Sequence, residues 1–490
     1  MKTESPAGFN SGWACRREDV ILPVSTSVKQ LLETQNVAYT ISSSLATNTE
    51  FEGYSSVLHG QRLRLVGAAK SLILHDAQGR IQVVMPANCM LDLGAVNRIQ
   101  ARELIVATDG ELQPFFDKHK LQSIPALPRL AGVPTLVDSR LLDQQTILLD
   151  SGSGDDLIEV GQADFQAMLG DATVCDICVP IAELEAMADG DSDEEAIVGA
   201  VKNFTTLRIK QRLEETLELP PLPETAQRII KLRVDPNADI SDLANIVELD
   251  PSLAAQVVSW ASSPYYSAPG KIKSIHDAVV RVLGFDMVLN LALGLALGKT
   301  MNLPKEGPRG AAPYWQHAVY TAATVEGLVT SIPREHRPGF GMAYLSGLLF
   351  NFGYLVLAEI FPPQFQTICR YMEANTHVPT HLIEKHVLGV SREQLSGWLM
   401  KLWNMPEEVV VALRQQNNAD CQGEHSEYAK LLFVAQRLLQ QKGIGQGPKL
   451  DVPDSVFRQL HLDAEKAYQT VDNILSSSDD LDNISQQLNS

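Results

Sequence analysis

The chain has 490 residues, 45% of them hydrophobic and 20% charged, which predicts roughly two to four domains, each long enough to bury a core. Its 40 lysines and arginines against 59 aspartates and glutamates leave a net charge of −19, so a broad nucleic-acid-coating role is disfavoured while one local basic groove stays open. Six cysteines are too few for a disulfide scaffold and point to a reducing cytoplasm.

Residues 1–24 hold no apolar run of signal-peptide length and read as a loose lead. From Ser27 to about Val179 the pattern is mixed. Val28 to Leu32 is helix-like, and Ser71–Leu74, Ile81–Met85 and Glu103–Ala107 are short β-rich runs. Asp76-Ala77-Gln78-Gly79-Arg80 separates the first two as a hairpin turn. Further runs follow at Pro134–Asp138, Thr146–Leu149 and Leu157–Val160, interleaved with helical stretches at Asp92–Val96 and Asp109–Asp117. Strands alternating with helices predict an α+β domain over residues 25–180.

Residues 181–218 read as an acidic linker and connector helix. Glu183, Glu185, Asp189, Asp191, Asp193, Glu194 and Glu195 have no basic residue among them, which predicts a solvated segment. Ile197, Val201, Phe204, Leu213 and Leu217 place an apolar stripe on a helix from about Glu194 to Glu218. At 1.5 Å per residue it would span roughly 37 Å and hold two domains apart. Pro220-Pro221-Leu222-Pro223 stops it, and Pro223 can open the next helix.

From there to Gln440 the spacing is helical throughout. Asp239-Ile240-Ser241-Asp242 and Asp250-Pro251 are helix starts, with a carboxylate facing unpaired N–H groups. Gly341 to Ile360 approaches membrane-span length but contains Asn351 and Glu359 and lacks basic flanks, so a buried helix is favoured and no membrane partner is expected. Residues 441–490 read as a C-terminal helix and an acidic tail that frays from about Ser476. His377, His381 and Glu384 are interrupted by Pro379 and read as a solvated polar loop rather than zinc ligands. Cys175-Asp176-Ile177-Cys178 lacks a second pair at zinc spacing and reads as two ordinary thiols.

Two family resemblances rest on these residues. Residues 219–440 resemble an HDOD domain, a relative of HD-type phosphohydrolases found in bacterial signalling proteins. The resemblance is carried by Leu219–Pro223, Asp242–Leu253, Ile275–Val279, Val282-Leu283-Gly284, Trp315-Gln316-His317, Ala343–Leu349 and Trp403–Glu408. The N-terminal part resembles the YbaK-like fold of aminoacyl-tRNA deacylases and prolyl-tRNA synthetase insertion domains, through Ala69–Leu74, Met90–Leu93, Val133–Asp138 and Leu148–Ser153. The implied architecture is an α+β YbaK-like N-terminal domain followed by an all-α HDOD helical bundle.

The HD resemblance implies a metal set of His, His-Asp and Asp that activates water. His317 stands where the first histidine would, but the His-Asp position reads Phe350-Asn351, and Arg392 brings a cation where metal-binding relatives commonly have histidine. No metal or other cofactor is expected here, and phosphohydrolase activity is disfavoured. His317 is then a hydrogen-bonded core residue. The YbaK resemblance implies a lysine just before a strand that positions an aminoacyl ester, and Lys70 occupies that place. It also implies a glycine-containing loop ending in proline. Pro125 is kept, no glycine precedes it, and Ser151 and Gly152 are further candidates to line the substrate pocket. The expected function is a cytoplasmic bacterial signal-transduction protein, a non-hydrolytic HDOD module with protein partners joined to a YbaK-like domain sensing a small ligand or aminoacyl-tRNA. The alternative is a trans-acting editing deacylase with an HDOD accessory domain.

Overall fold

The computed structural model describes residues 24–43, 67–152, 156–187, 192–204, 222–267 and 270–488. Its N-terminal part is built on strands β1 (Tyr39–Ser43), β2 (Ala69–Asp76), β3 (Gly79–Pro86), β4 (Cys89–Leu91), β5 (Ile105–Val106), β6 (Thr135–Asp138), β7 (Thr146–Asp150), β8 (Asp156–Gly161), β9 (Thr173–Cys175) and β10 (Cys178–Pro180). The expected hairpin is present. The Asp76 carboxylate accepts from the Gln78 and Gly79 amides at 2.7 and 3.2 Å, and Gly79 takes φ of +141°.

A mixed sheet has the order β5-β2-β3-β6-β9, antiparallel on the β2 side and parallel from β3 to β9, and β1-β8-β7 form a separate antiparallel sheet. The pairing of Lys70 with Met85, Leu72 with Val83 and Leu74 with Ile81 puts these six on one face. The other face carries Ala69 and Val84, which join Ile147, Leu149, Ile158 and Val160 of the antiparallel sheet in a second core. Leu74, Ile81, Val83 and Met85 belong instead to a buried cluster that runs on without a break into the helical half.

That half follows its stop signals. Asp239 and Asp242 form a reciprocal cap at the start of Ile240–Glu248, and Asp250 caps Pro251–Ala261 with proline at the first helical position. Helices Phe285–Gly298, Tyr314–Ser331 and Phe340–Leu349 form the centre, and every side chain from Met287 to Gly298 is buried. The apolar stretch Phe340–Ile360 passes the length test for a membrane span, yet most of it is buried inside this bundle. It is two helices, Phe340–Leu349 and Phe352–Ile360, broken at Phe350-Asn351.

Three expectations are corrected. The described parts of the acidic segment, 181–187 and 192–204, are not a solvated spacer. Helix Ile181–Met187 buries Ile181 and Leu184, helix Asp193–Phe204 buries Ile197, Ala200 and Val201, and all join the common core. Asp193 has a basic partner after all, 221 residues on, because Arg414 donates to its carboxylate and Gln394 adds a bond of 2.9 Å. The tail is folded rather than frayed: Leu481 and Ile484 lie one helical turn apart and bury helix Ser478–Leu488 against the bundle. His377 and Glu384 are buried at 3% and 0% exposure, so the expected solvated loop is part of the interior. The expected lead, apart from its last residue, the second half of the connector helix and the Pro220-Pro221 stop lie outside the described residues.

Gly353 lets helix Phe352–Ile360 approach the chain at Arg392 so closely that an added Cβ would overlap the Arg392 carbonyl. Gly353→Ala should therefore lower stability by about 1–3 kcal/mol, read as a reduced urea midpoint with unchanged slope.

Candidate functional site

Lys70 lies in β2 with its side chain directed at the helical half. Its Nζ is 2.8 Å from Nδ1 of His377, in the turn between helices Pro362–Ala374 and Thr380–Leu388. The other ring nitrogen, Nε2, is 2.9 Å from the Cys89 carbonyl. A carbonyl only accepts, so Nε2 carries the proton and Nδ1 accepts from the lysine. Burial lowers the Lys70 amine from its ordinary value to about 7. The lysine that the YbaK resemblance assigns to the aminoacyl ester is thus engaged by a residue 307 positions away in the other domain.

The same turn satisfies the edge of β4. Asn375 accepts from the Leu91 amide at 2.7 Å and donates to the Leu91 carbonyl at 3.1 Å, doing the work of a neighbouring strand. Tyr371 Oη accepts from the Gly94 amide at 2.9 Å and donates to Asp92 Oδ1 at 2.6 Å. Arg309 reaches the Val106 carbonyl at 2.7 Å while paired with Glu373. These contacts and the continuous apolar core join the two halves into one unit.

Pro125, Ser151 and Gly152 form a group of their own. An added Cβ on Gly152, which has φ of +76°, would overlap Leu121 and meet Pro125 at 3.2 Å. The Gly152 carbonyl accepts from the Gln122 amide at 2.9 Å, and the Ser151 carbonyl accepts from the Ser25 amide at 3.3 Å. The Pro125 carbonyl accepts from Gln82, whose amide also reaches Ser71. Gln82 and Ser71 belong to the sheet face opposite Lys70, so the structure does not bring the four candidates into one pocket. Leu121, which stands close to Gly152, is fully packed in the second core.

At the residues where the HD resemblance places metal ligands, the structure has an ion pair. Arg392 donates through Nε and its backbone amide to Glu384 at 2.5 and 2.8 Å, and through Nη1 to Asn351 Oδ1 at 2.9 Å. Its guanidinium also lies 5.3 Å from the centre of the Tyr354 ring. The His317 ring meets Phe350 edge-on at 4.6 Å, and burial, with the nearby Arg392 charge, lowers it to about 3, so it is neutral at physiological pH. A guanidinium, a phenyl ring and a carboxamide do not fit a divalent cation. Among the described residues no three His, Cys, Asp or Glu side chains are grouped to hold one. A cavity of about 220 Å³ opens here, lined by His317, Phe350, Asn351, His381 and Arg392, with Glu185 contributed by the N-terminal part. Cys175 and Cys178 are free thiols.

Comparison with known proteins matches both halves. The HDOD domain matches residues 219–419, and the aminoacyl-tRNA editing domain matches residues 58–168. The crystal structure of a candidate signal transduction protein from Marinobacter aquaeolei VT8 is 40% identical, with a TM-score of 0.83, over 95% of this chain and 99% of that one. The chain belongs to the same two-domain family. An HDOD domain protein of unknown function from Geobacter sulfurreducens is 21% identical over 57% of this chain and 96% of its own, with a TM-score of 0.45. An uncharacterized protein from Treponema pallidum (strain Nichols) is 22% identical over 267 residues, 53% of this chain. The chain spans about half the length of that curated relative.

Sequence reasoning missed the docking residues Asn375, His377 and Tyr371. The available signal was a cluster of polar residues amid apolar helices, but their partners Cys89, Leu91 and Asp92 lie more than 270 positions earlier. In the HDOD domain the Arg392–Glu384 pair makes a direct prediction. Arg392→Met leaves a buried carboxylate unpaired and should lower unfolding free energy by about 3–5 kcal/mol, while Arg392→Met with Glu384→Met recovers most of the loss in chemical denaturation.

Proposed function

We propose that this chain is a cytoplasmic bacterial regulatory protein in which a non-hydrolytic HDOD module is coupled to an editing-type domain that senses a ligand rather than deacylating tRNA. The observation that carries the reading is the Lys70–His377 contact at 2.8 Å, which occupies the amine an aminoacyl ester would need. Two further features support it. The glycine-containing loop is replaced around Pro125 by residues packed into the core, and the HD metal position is filled by Arg392, Asn351 and Phe350. The 40% identical Marinobacter protein is itself a candidate for signal transduction. On this reading the HDOD surface carries the output to protein partners, and the hydrogen-bonded junction at β4 couples the two halves.

A second reading is a trans-acting editing deacylase held inactive by its HDOD domain. It draws on Lys70 itself, retained at the start of β2 and lowered to about 7, where an amine can act as a proton acceptor.

Deacylation of a panel of mischarged tRNAs separates the two. The regulatory reading predicts no turnover above background by the wild type, Lys70→Ala or His377→Ala. Hydrolysis by the wild type that disappears in Lys70→Ala would overturn it, and hydrolysis gained in His377→Ala would establish the inhibited deacylase.

A further inference from the structure

The cavity at the former metal position has a wall unlike that of an ordinary packing defect. Three residues lining it, Tyr314, His317 and Glu393, each carry a buried polar atom without a hydrogen-bond partner: Oη, Nε2 and Oε2 respectively. Tyr314 and Glu393 are only 8% and 5% exposed. A buried polar atom without a partner is costly, and native proteins keep few of them. Three around one cavity mark a space shaped for an occupant that supplies the missing bonds.

Charge narrows the class of occupant. Arg392 is neutralised by Glu384, and Arg437 shares the wall with Glu393 and Glu185. With His317 neutral, the wall holds two arginines against two carboxylates, which gives an anion no net attraction. The wall is also flat. Phe350, Tyr354 and Phe433 present rings, and the Arg392 and Arg437 guanidinium groups lie 5.3 and 4.1 Å from the Tyr354 and Phe433 ring centres. The wall also carries the carboxamides of Asn351, Gln416, Asn417, Gln436 and Gln440, which bond to Arg392, Glu393, one another and backbone carbonyls through one atom or more and keep remaining donor and acceptor capacity. Gly445, with φ of +116°, closes over the His317 ring where a Cβ would meet Nε2 at 3.2 Å. A volume of about 220 Å³ falls below the roughly 300–1,000 Å³ of pockets for drug-sized ligands, so the occupant is one compact ring system.

We infer that this cavity binds a small, uncharged, planar nitrogen heterocycle of nucleobase size, with an N–H edge facing Glu393 and ring nitrogens or carbonyls facing the carboxamides and Tyr314. The site is separate from Lys70. Its wall includes Pro379, Thr380 and His381, which directly follow the turn that seats His377 on Lys70. An occupant therefore touches the segment that joins the two halves.

Calorimetry and thermal melting of the full chain with adenine, hypoxanthine and cytosine test the inference, with inorganic phosphate and Mn²⁺ as comparison probes. At least one heterocycle should bind and raise Tm, because a ligand that binds only the native state stabilises it. Glu393→Gln, which puts a donor where the free acceptor stood, should weaken that binding at least tenfold. Ala312→Trp lies at the half-exposed edge of the cavity. It should abolish binding while leaving the ligand-free Tm near that of the wild type. Binding of phosphate or Mn²⁺ alone, binding unchanged in Ala312→Trp, or no binding of any heterocycle would overturn the inference. The inference rests on the non-hydrolytic reading of the HDOD half. Phosphodiesterase activity would sink that reading, whereas an inactive protein that ignores all three heterocycles would sink this inference alone.

Discussion

A lysine amine enclosed between a sheet and a helical bundle must find an acceptor or lose its proton, and that constraint organises the junction of this protein. Lys70 finds Nδ1 of His377, and the His377 ring is fixed in turn by the Cys89 carbonyl. Asn375, two residues earlier, serves both backbone groups of Leu91. One short turn therefore satisfies the lysine, the histidine and the open edge of β4 together. Removing it would expose polar groups on both sides, so the two domains behave as parts of one folded body. Family membership says that such chains combine an editing domain with an HDOD domain. The junction adds a contact from the HDOD half to the Lys70 amine of the editing half.

The second half has a buried polar contact of its own. Arg392 brings a positive charge on a side chain, with Glu384 as its partner and Asn351 as an acceptor. Close helix contacts accompany it, such as Gly353 against the Arg392 backbone. What survives is a polar cavity with flat walls.

Local signals made much of the fold legible. The turn at Asp76–Gly79 follows from a side chain that caps its own backbone, and the helix starts at Asp239 and Asp250 follow from carboxylates facing unpaired amides. Strands β6, β7 and β8 stood out as apolar runs. Strands β4, β9 and β10 have three residues each, too few for a periodic pattern, and are held by partners distant in sequence. The acidic segment misled because charge was counted locally: Asp193 meets Arg414 only after the chain has returned. Lys70 was recognisable as a candidate from its place before a strand. Nothing within its own domain indicated that His377 would cover it, or that Pro125 and Gly152 would lie across the sheet. Such facts depend on which face a strand turns to the core and what packs there, and a single chain read in order records neither.

The central claim is that the HDOD turn covers the editing-domain lysine. Competitive acylation of all lysines in the native full-length chain, read by mass spectrometry, tests it most directly. The account predicts that Lys70 in the wild type reacts far more slowly than the exposed Lys29 and Lys273, and that His377→Ala brings it toward their rate. Lys70 reacting in the wild type as fast as Lys29 would contradict the account, because the amine would then be open to any ester that approached it.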